Sequence, residues 1–206
     1  MSLTVYYAPM SSATRILWAL EELGLPYDKV KVDLAKGEQK TPEYLALNPN
    51  GKVPLLVADG TPIFESIAIL AYLGETYGVE KGLFAPPGLA RAHAWQWMVW
   101  AGVTLGEAAS RLMRNTHERY PAEQRNAAAA EAARVELRHL IGILNTTLAA
   151  SAYLVGGSFS FADIPAYGYC SLAERFGTAK LEEFPRVFDW VERCKGRAAL
   201  ARAQAI

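Results

Sequence analysis

The sequence predicts an α/β domain of order βαβαββα followed by an all-helical domain, and three observations carry that reading. Up to about residue 80, short β-type runs alternate with helical patterns. Within that part Asp59-Gly60 separates two apolar runs, a hairpin signal. Beyond Gly82 the pattern is wholly helical, and Phe84-Ala-Pro-Pro-Gly88 is composed like a linker. The first domain is therefore placed at 1–80 and the second at 88–206.

The elements follow in order. Thr-Val-Tyr-Tyr at 4–7 reads as a strand, Ala13 to Leu23 as a helix stopped by Gly24, and Lys-Val-Lys-Val at 29–32 as a second strand. A short helix is expected at Glu43 to Leu47, strands at Leu55 to Ala58 and Pro62 to Phe64, and a helix from Ser66 to about Tyr77. One long helix should cover 89–114. Another should start with Pro121 in its first turn, because Leu137, Leu140, Ile141, Leu144 and Leu148 repeat with the spacing of a buried helical face. Ser160-Phe-Ala-Asp163 reads as a capping box, Ser160 capping the Asp163 N–H and Asp163 reaching back, with Phe159 and Ile164 at the staple positions. It should open a buried helix from Phe161 to Phe176, a structural role.

Composition narrows the function. The chain has 206 residues, 51% of them hydrophobic, which is ample for real cores. Lys+Arg and Asp+Glu number 21 each and no basic stripe occurs, so nucleic acid and anionic membrane are not expected partners. The start, Met-Ser-Leu-Thr-Val-Tyr-Tyr, has no basic n-region, and no run approaches the roughly 18 to 20 apolar residues of a membrane span, so a soluble, cytoplasmic protein is expected. Cys170 and Cys194 are far apart with no C-x-x-C spacing, and His93, His117 and His139 are dispersed, so neither a dithiol centre nor a metal site is expected.

The segment Gly51 to Leu70 carries most of the functional signal. Val53 precedes Pro54, and a cis bond there would turn the Val53 main chain outward. Glu65-Ser66 stands where a strand meets an apolar helix, so Ser66 can offer its hydroxyl and helix N-terminal amides to an anion. The same residues also read as a plain helix start, with Ser capping and Glu suiting the dipole. Together the two pairs form the layout of a site that grips a small peptide, main chain at one end and carboxylate at the other.

With Val-Pro at 53–54, Glu-Ser at 65–66 and Ser-Phe-Ala-Asp at 160–163 in this order of elements, the chain resembles a cytosolic glutathione transferase over essentially its whole length. The resemblance implies a thioredoxin-like first domain that binds glutathione as co-substrate, a helical second domain supplying most of the electrophile pocket, and a homodimer. It implies that Val53 pairs with the cysteinyl unit, that Pro54 is cis, that Glu65 meets the γ-glutamyl ammonium and Ser66 its carboxylate. Gly37-Glu-Gln-Lys40 is similar to the loop from which phi-type members reach the glycyl carboxylate, which makes Gln39 and Lys40, and with them Lys52, candidates there.

The chemistry should lie between the first strand and first helix. A thiol of ordinary pKa near 8.5 is only a few per cent thiolate at pH 7, so the site must stabilise the anion. One hydrogen bond to a charged partner is worth roughly 1.5–3 kcal/mol, about one to two pKa units. Pro-Met-Ser-Ser-Ala-Thr-Arg at 9–15 resembles the P-x-S-x-A-T-R of phi-type members, making Ser11 the favoured donor, with Tyr7 and Ser12 as the alternatives. Met10 stands where beta-type members carry a cysteine. Met10, Trp97, Trp100, Met113 and Arg114 are the candidates for the pocket of a small hydrophobic electrophile. Two other readings stay open: a zeta-type maleylacetoacetate isomerase, from whose S-S-C motif the chain departs at Ala13, and a glutathione-binding module without catalysis.

Overall fold

The computed structural model describes residues 2–205. It divides into two compact units, one running to Pro86 and taking in the segment from Gly196, the other Pro87–Lys195. The sequence reading counts everything from 88 onward as one helical domain; the structure groups the final segment with the first unit.

The first unit is built on β1 (Leu3–Tyr7), β2 (Asp28–Lys31), β3 (Leu55–Ala58) and β4 (Thr61–Phe64) in spatial order β2-β1-β3-β4. β1 runs parallel to β2 and antiparallel to β3, and β3 pairs antiparallel with β4. Asp59 and Gly60 both take positive φ, 46° and 82°, as a two-residue hairpin of type I′ requires. The crossover helix α1 (Ala13–Leu23) buries Ile16, Leu17, Trp18, Leu20 and Leu23. It ends where expected: Gly24 is left-handed, its N–H bonds Glu21 O, and the Leu25 N–H returns to Leu20 O. α2 (Pro42–Leu47) is capped by Thr41, whose hydroxyl accepts the Tyr44 N–H.

α3 (Ser66–Leu73) corrects the capping expected at 65–66. Glu65 occupies the cap with φ 69°, no side chain caps the helix, and Ser66 is the first helical residue. The rest of the predicted helix, Gly74–Gly78, is π-helical. Phe84, read as linker, is buried instead. A Cβ on Gly74 would lie 2.7 Å from its ring, so the glycine is what lets that ring sit on the backbone.

In the second unit the long helix expected at 89–114 becomes α4 (Leu89–Trp100), a π turn at Ala101–Leu105, and α5 (Gly106–Thr116). The break falls where Tyr169 lies directly on Gly106, its hydroxyl 2.5 Å from where a Cβ would stand. α6 (Ala127–Thr147) starts six residues after Pro121 rather than with it. Asn126 is the cap, its Oδ1 accepting the Ala129 N–H at 2.9 Å, and Pro121 only introduces a short 3-10 turn. Its predicted face is buried as expected. α7 (Asp163–Arg175) and α8 (Pro185–Lys195) complete the unit, and α9 (Ala198–Gln204) packs with α1 in the first.

The capping box holds in one direction only. Asp163 Oδ2 accepts the Ser160 N–H at 2.9 Å, but the Asp163 N–H bonds the Ser160 carbonyl rather than its hydroxyl, and the helix begins at Asp163 rather than Phe161. The fully buried carboxylate also accepts the Leu154 N–H and the Trp190 indole N–H, each at 3.0 Å, so it ties three segments together. Burial outweighs these bonds and raises the Asp163 carboxyl from 3.8 to about 6. No helix among the described residues is long and apolar enough to cross a membrane.

Candidate glutathione site

Strand register brings the predicted residues to one end of one sheet. Tyr6 pairs with Leu55, Leu55 with Phe64 and Tyr7 with Lys31, so the ends of β1, β2 and β4 and the start of β3 lie side by side. From that end leave the loop with Ser11, the turn with Gln39 and Lys40, the approach Lys52-Val53-Pro54, and Glu65-Ser66. The sequence names the residues, but only the mixed sheet order gathers them.

In the first loop Met10 is 66% exposed and held at φ 57°, a conformation that costs any residue but glycine. Ser11 Oγ donates to Ala8 O at 2.7 Å and accepts the Ala13 N–H at 3.2 Å, so it caps α1 from one position before the Ser12 cap, whose own side chain does not cap. The hydroxyl proton thus rests on a peptide carbonyl. An anionic sulfur is the stronger acceptor, since charge-assisted hydrogen bonds are roughly twice as strong as neutral ones.

The Val53-Pro54 bond is cis. Among the described residues no main-chain bond engages the Val53 N–H or C=O, while its side chain packs on the cluster of Val32, Tyr44 and Leu55. Lys40 lies across Gly51 and its Nζ donates to Asn50 O at 3.3 Å. Gly51, at φ 57°, leaves room for it; a Cβ there would stand 2.6 Å from Lys40 Nζ and 2.8 Å from Gln39 O. Gln39 donates weakly to Leu34 O, and its buried Oε1 has no hydrogen-bond partner among the described residues. Glu65 is exposed and Ser66 half-buried at the start of α3.

The helical unit has its own cavity of about 510 Å³, lined by Met113, His117, Tyr169, Leu172 and Phe176 among others. Of the sequence candidates for the electrophile, Met113 lines it. Trp97 and Trp100 stack edge to face at 5.3 Å, Arg114 pairs with Glu107, and Met10 belongs to the other unit. Cys170 and Cys194 are both buried. No cluster of three or more metal-ligating side chains occurs among the described residues.

Comparison with known proteins decides the family. The N-terminal domain model of glutathione S-transferases matches residues 1–75 and the C-terminal domain model residues 104–198. The chain belongs to the glutathione S-transferase family. It is an enzyme of that type, with a thioredoxin-like first domain and a helical second one. Among its relatives, the disulfide-bond oxidoreductase YfcG of Escherichia coli K12 is 37% identical over 97% of this chain and 93% of its own length. Glutathione S-transferase GstB of the same organism is 36% identical over 75% and 74%. The crystal structure of glutathione transferase URE2P8 from Phanerochaete chrysosporium with oxidized glutathione is 28% identical, superposes with a TM-score of 0.89, and the match covers 98% of this chain and 93% of that one.

Two residues that the sequence does not single out adjoin the candidate site. Tyr44 Oη and Asn48 Nδ2 both donate to Lys52 O at 2.7 Å, immediately before Val53. Asn48 sits in Asn-Pro-Asn-Gly, a turn signal, but nothing in that signal names its target.

Proposed function

We propose that the first unit holds glutathione across this end of the sheet and that its thiolate attacks a small hydrophobic electrophile. Val53 supplies main-chain pairing, and Ser66 with the first amides of α3 takes the γ-glutamyl carboxylate while Glu65 takes its ammonium. Gln39, Lys40 and Lys52 serve the glycyl end. Ser11 releases Ala8 O and donates to the sulfur, lowering the thiol's pKa without losing its own proton. The observation that carries this reading is the gathering of the first loop, the open Val53 main chain and the start of α3 at one end of the sheet.

Purified protein should turn over 1-chloro-2,4-dinitrobenzene with glutathione. Ser11→Ala should lower kcat/KM at pH 6.5 at least about tenfold, with a smaller loss at pH 9, where the thiol ionises unaided. An unchanged profile in Ser11→Ala with a shifted one in Ser12→Ala or Tyr7→Phe moves the role to that residue. Retention on immobilised glutathione with no turnover of any electrophile supports a binding module instead.

A second reading has its own support in the relative named as a disulfide-bond oxidoreductase and in the oxidized glutathione of the structural neighbour. Here the bound thiolate attacks one sulfur of a substrate disulfide and expels the other as a thiolate. A second glutathione then attacks the mixed disulfide, releasing oxidized glutathione and the second thiol. Both exchanges use glutathione thiols alone, in keeping with the burial of both cysteines. Reduction of 2-hydroxyethyl disulfide, compared with conjugation in the same preparation, ranks the two readings.

A further inference from the structure

We propose that Tyr44 and Asn48 are positioning residues for glutathione, aiming the Val53 N–H by gripping the carbonyl on the other side of the same peptide bond. The proposal rests on the reading of Val53 as the main-chain partner of the cysteinyl unit. The Lys52–Val53 peptide is planar and trans, so its C=O and N–H point in opposite directions. Whatever fixes the Lys52 oxygen fixes the direction of the Val53 N–H. Two donors converge on that oxygen, the Tyr44 hydroxyl and the Asn48 amide, each at 2.7 Å.

Both donors are held by elements built before the site. Asn48 is 2% exposed, and its N–H bonds Tyr44 O at the end of α2. Its carbonyl accepts the Gly51 N–H, and its Oδ1 accepts the Asn50 N–H, so the turn 48–51 is closed around it. Tyr44 is buried against Val32 and Leu55 and meets Tyr6 edge to face at 5.8 Å. Burial pushes its hydroxyl up to about 12, so it stays a donor throughout the working range. Double donation also polarises the peptide, which makes the opposed N–H a better donor to a ligand carbonyl.

Tyr44→Phe keeps the ring and its packing and deletes one donor. It should raise the KM and Kd for glutathione about five- to tenfold while kcat with a fixed electrophile stays within about twofold, the split expected when binding alone is lost. The Val53 amide cross-peak should move on glutathione addition in wild type, and in free Tyr44→Phe it should sit at lower 15N and 1H shift. Glutathione affinity and a Val53 amide signal unchanged in Tyr44→Phe, with only the melting temperature lowered, overturn the proposal and leave a packing role. A wild-type protein that binds glutathione without moving the Val53 amide overturns the underlying reading as well. Asn48→Ala should act in the same direction, and its failure to fold would leave the Tyr44→Phe measurements decisive.

Discussion

Asp163 shows how one side chain can serve a fold and yet tune it to pH. Its carboxyl is pushed up to about 6 by burial, so the folded chain holds a proton that the unfolded chain, near 3.8, gives up first. The stability this group contributes is fully present below about pH 4 and is lost as pH rises through about 6. Glu21 slopes the opposite way, because the Arg202 beside it holds its carboxyl low. The expected outcome is therefore a difference: in urea titrations between pH 4 and 7, wild type minus Asp163→Asn should show stability falling with pH over that window. Asp163→Ala should be worse at every pH, since it orphans the N–H groups of Leu154, Ser160 and Trp190 at about 1–3 kcal/mol each. Met10, Ser11, Val53 and Glu65 stand out in the sequence as types, but that Met10 and Glu65 are left-handed and that Ser11 donates to Ala8 O are facts of conformation.

At the scale of elements, ends were harder to read than bodies. α1, β3 and the hairpin turn lie where the pattern puts them, because apolar spacing, Gly24 and Asp59-Gly60 are local signals with local consequences. The sequence points to Pro121 for the start of α6 because proline suits a first turn, but Asn126, in extended conformation, has both the geometry and a side-chain acceptor for the Ala129 N–H. Asn126→Ala should cost about 1 kcal/mol by thermal or chemical melting, and Asn126→Ser should recover most of it. Pro121→Ala should do little, since α6 does not contain that residue.

At the scale of the whole molecule, the tail is attached to the beginning. Arg197 grips Glu22 of α1 with two bonds, 2.5 and 2.8 Å, and the Trp18 indole N–H donates to the same carboxylate. Glu22 is only 9% exposed, so Arg197→Ala should strand a nearly buried charge and destabilise the protein by about 3 kcal/mol or more. Arg202→Ala should cost less than about 1 kcal/mol by the same denaturant measurement, because that arginine is more than half exposed on Glu21. No pattern in residues 196–205 announces such a role.

The sequence by itself determined the order of elements, the family resemblance, and the residue types proposed for the glutathione site, because periodicity, turn chemistry and the Val-Pro and Glu-Ser pairs are written within a few neighbouring positions. Tertiary structure alone decided that these loops leave from one end of the sheet, that the Val53 peptide is gripped from behind by Tyr44 and Asn48, and that the last helix closes on the first. Those depend on strand order and on side chains meeting across tens of residues, and no local signal encodes a contact whose partner is set by the packing of the whole unit.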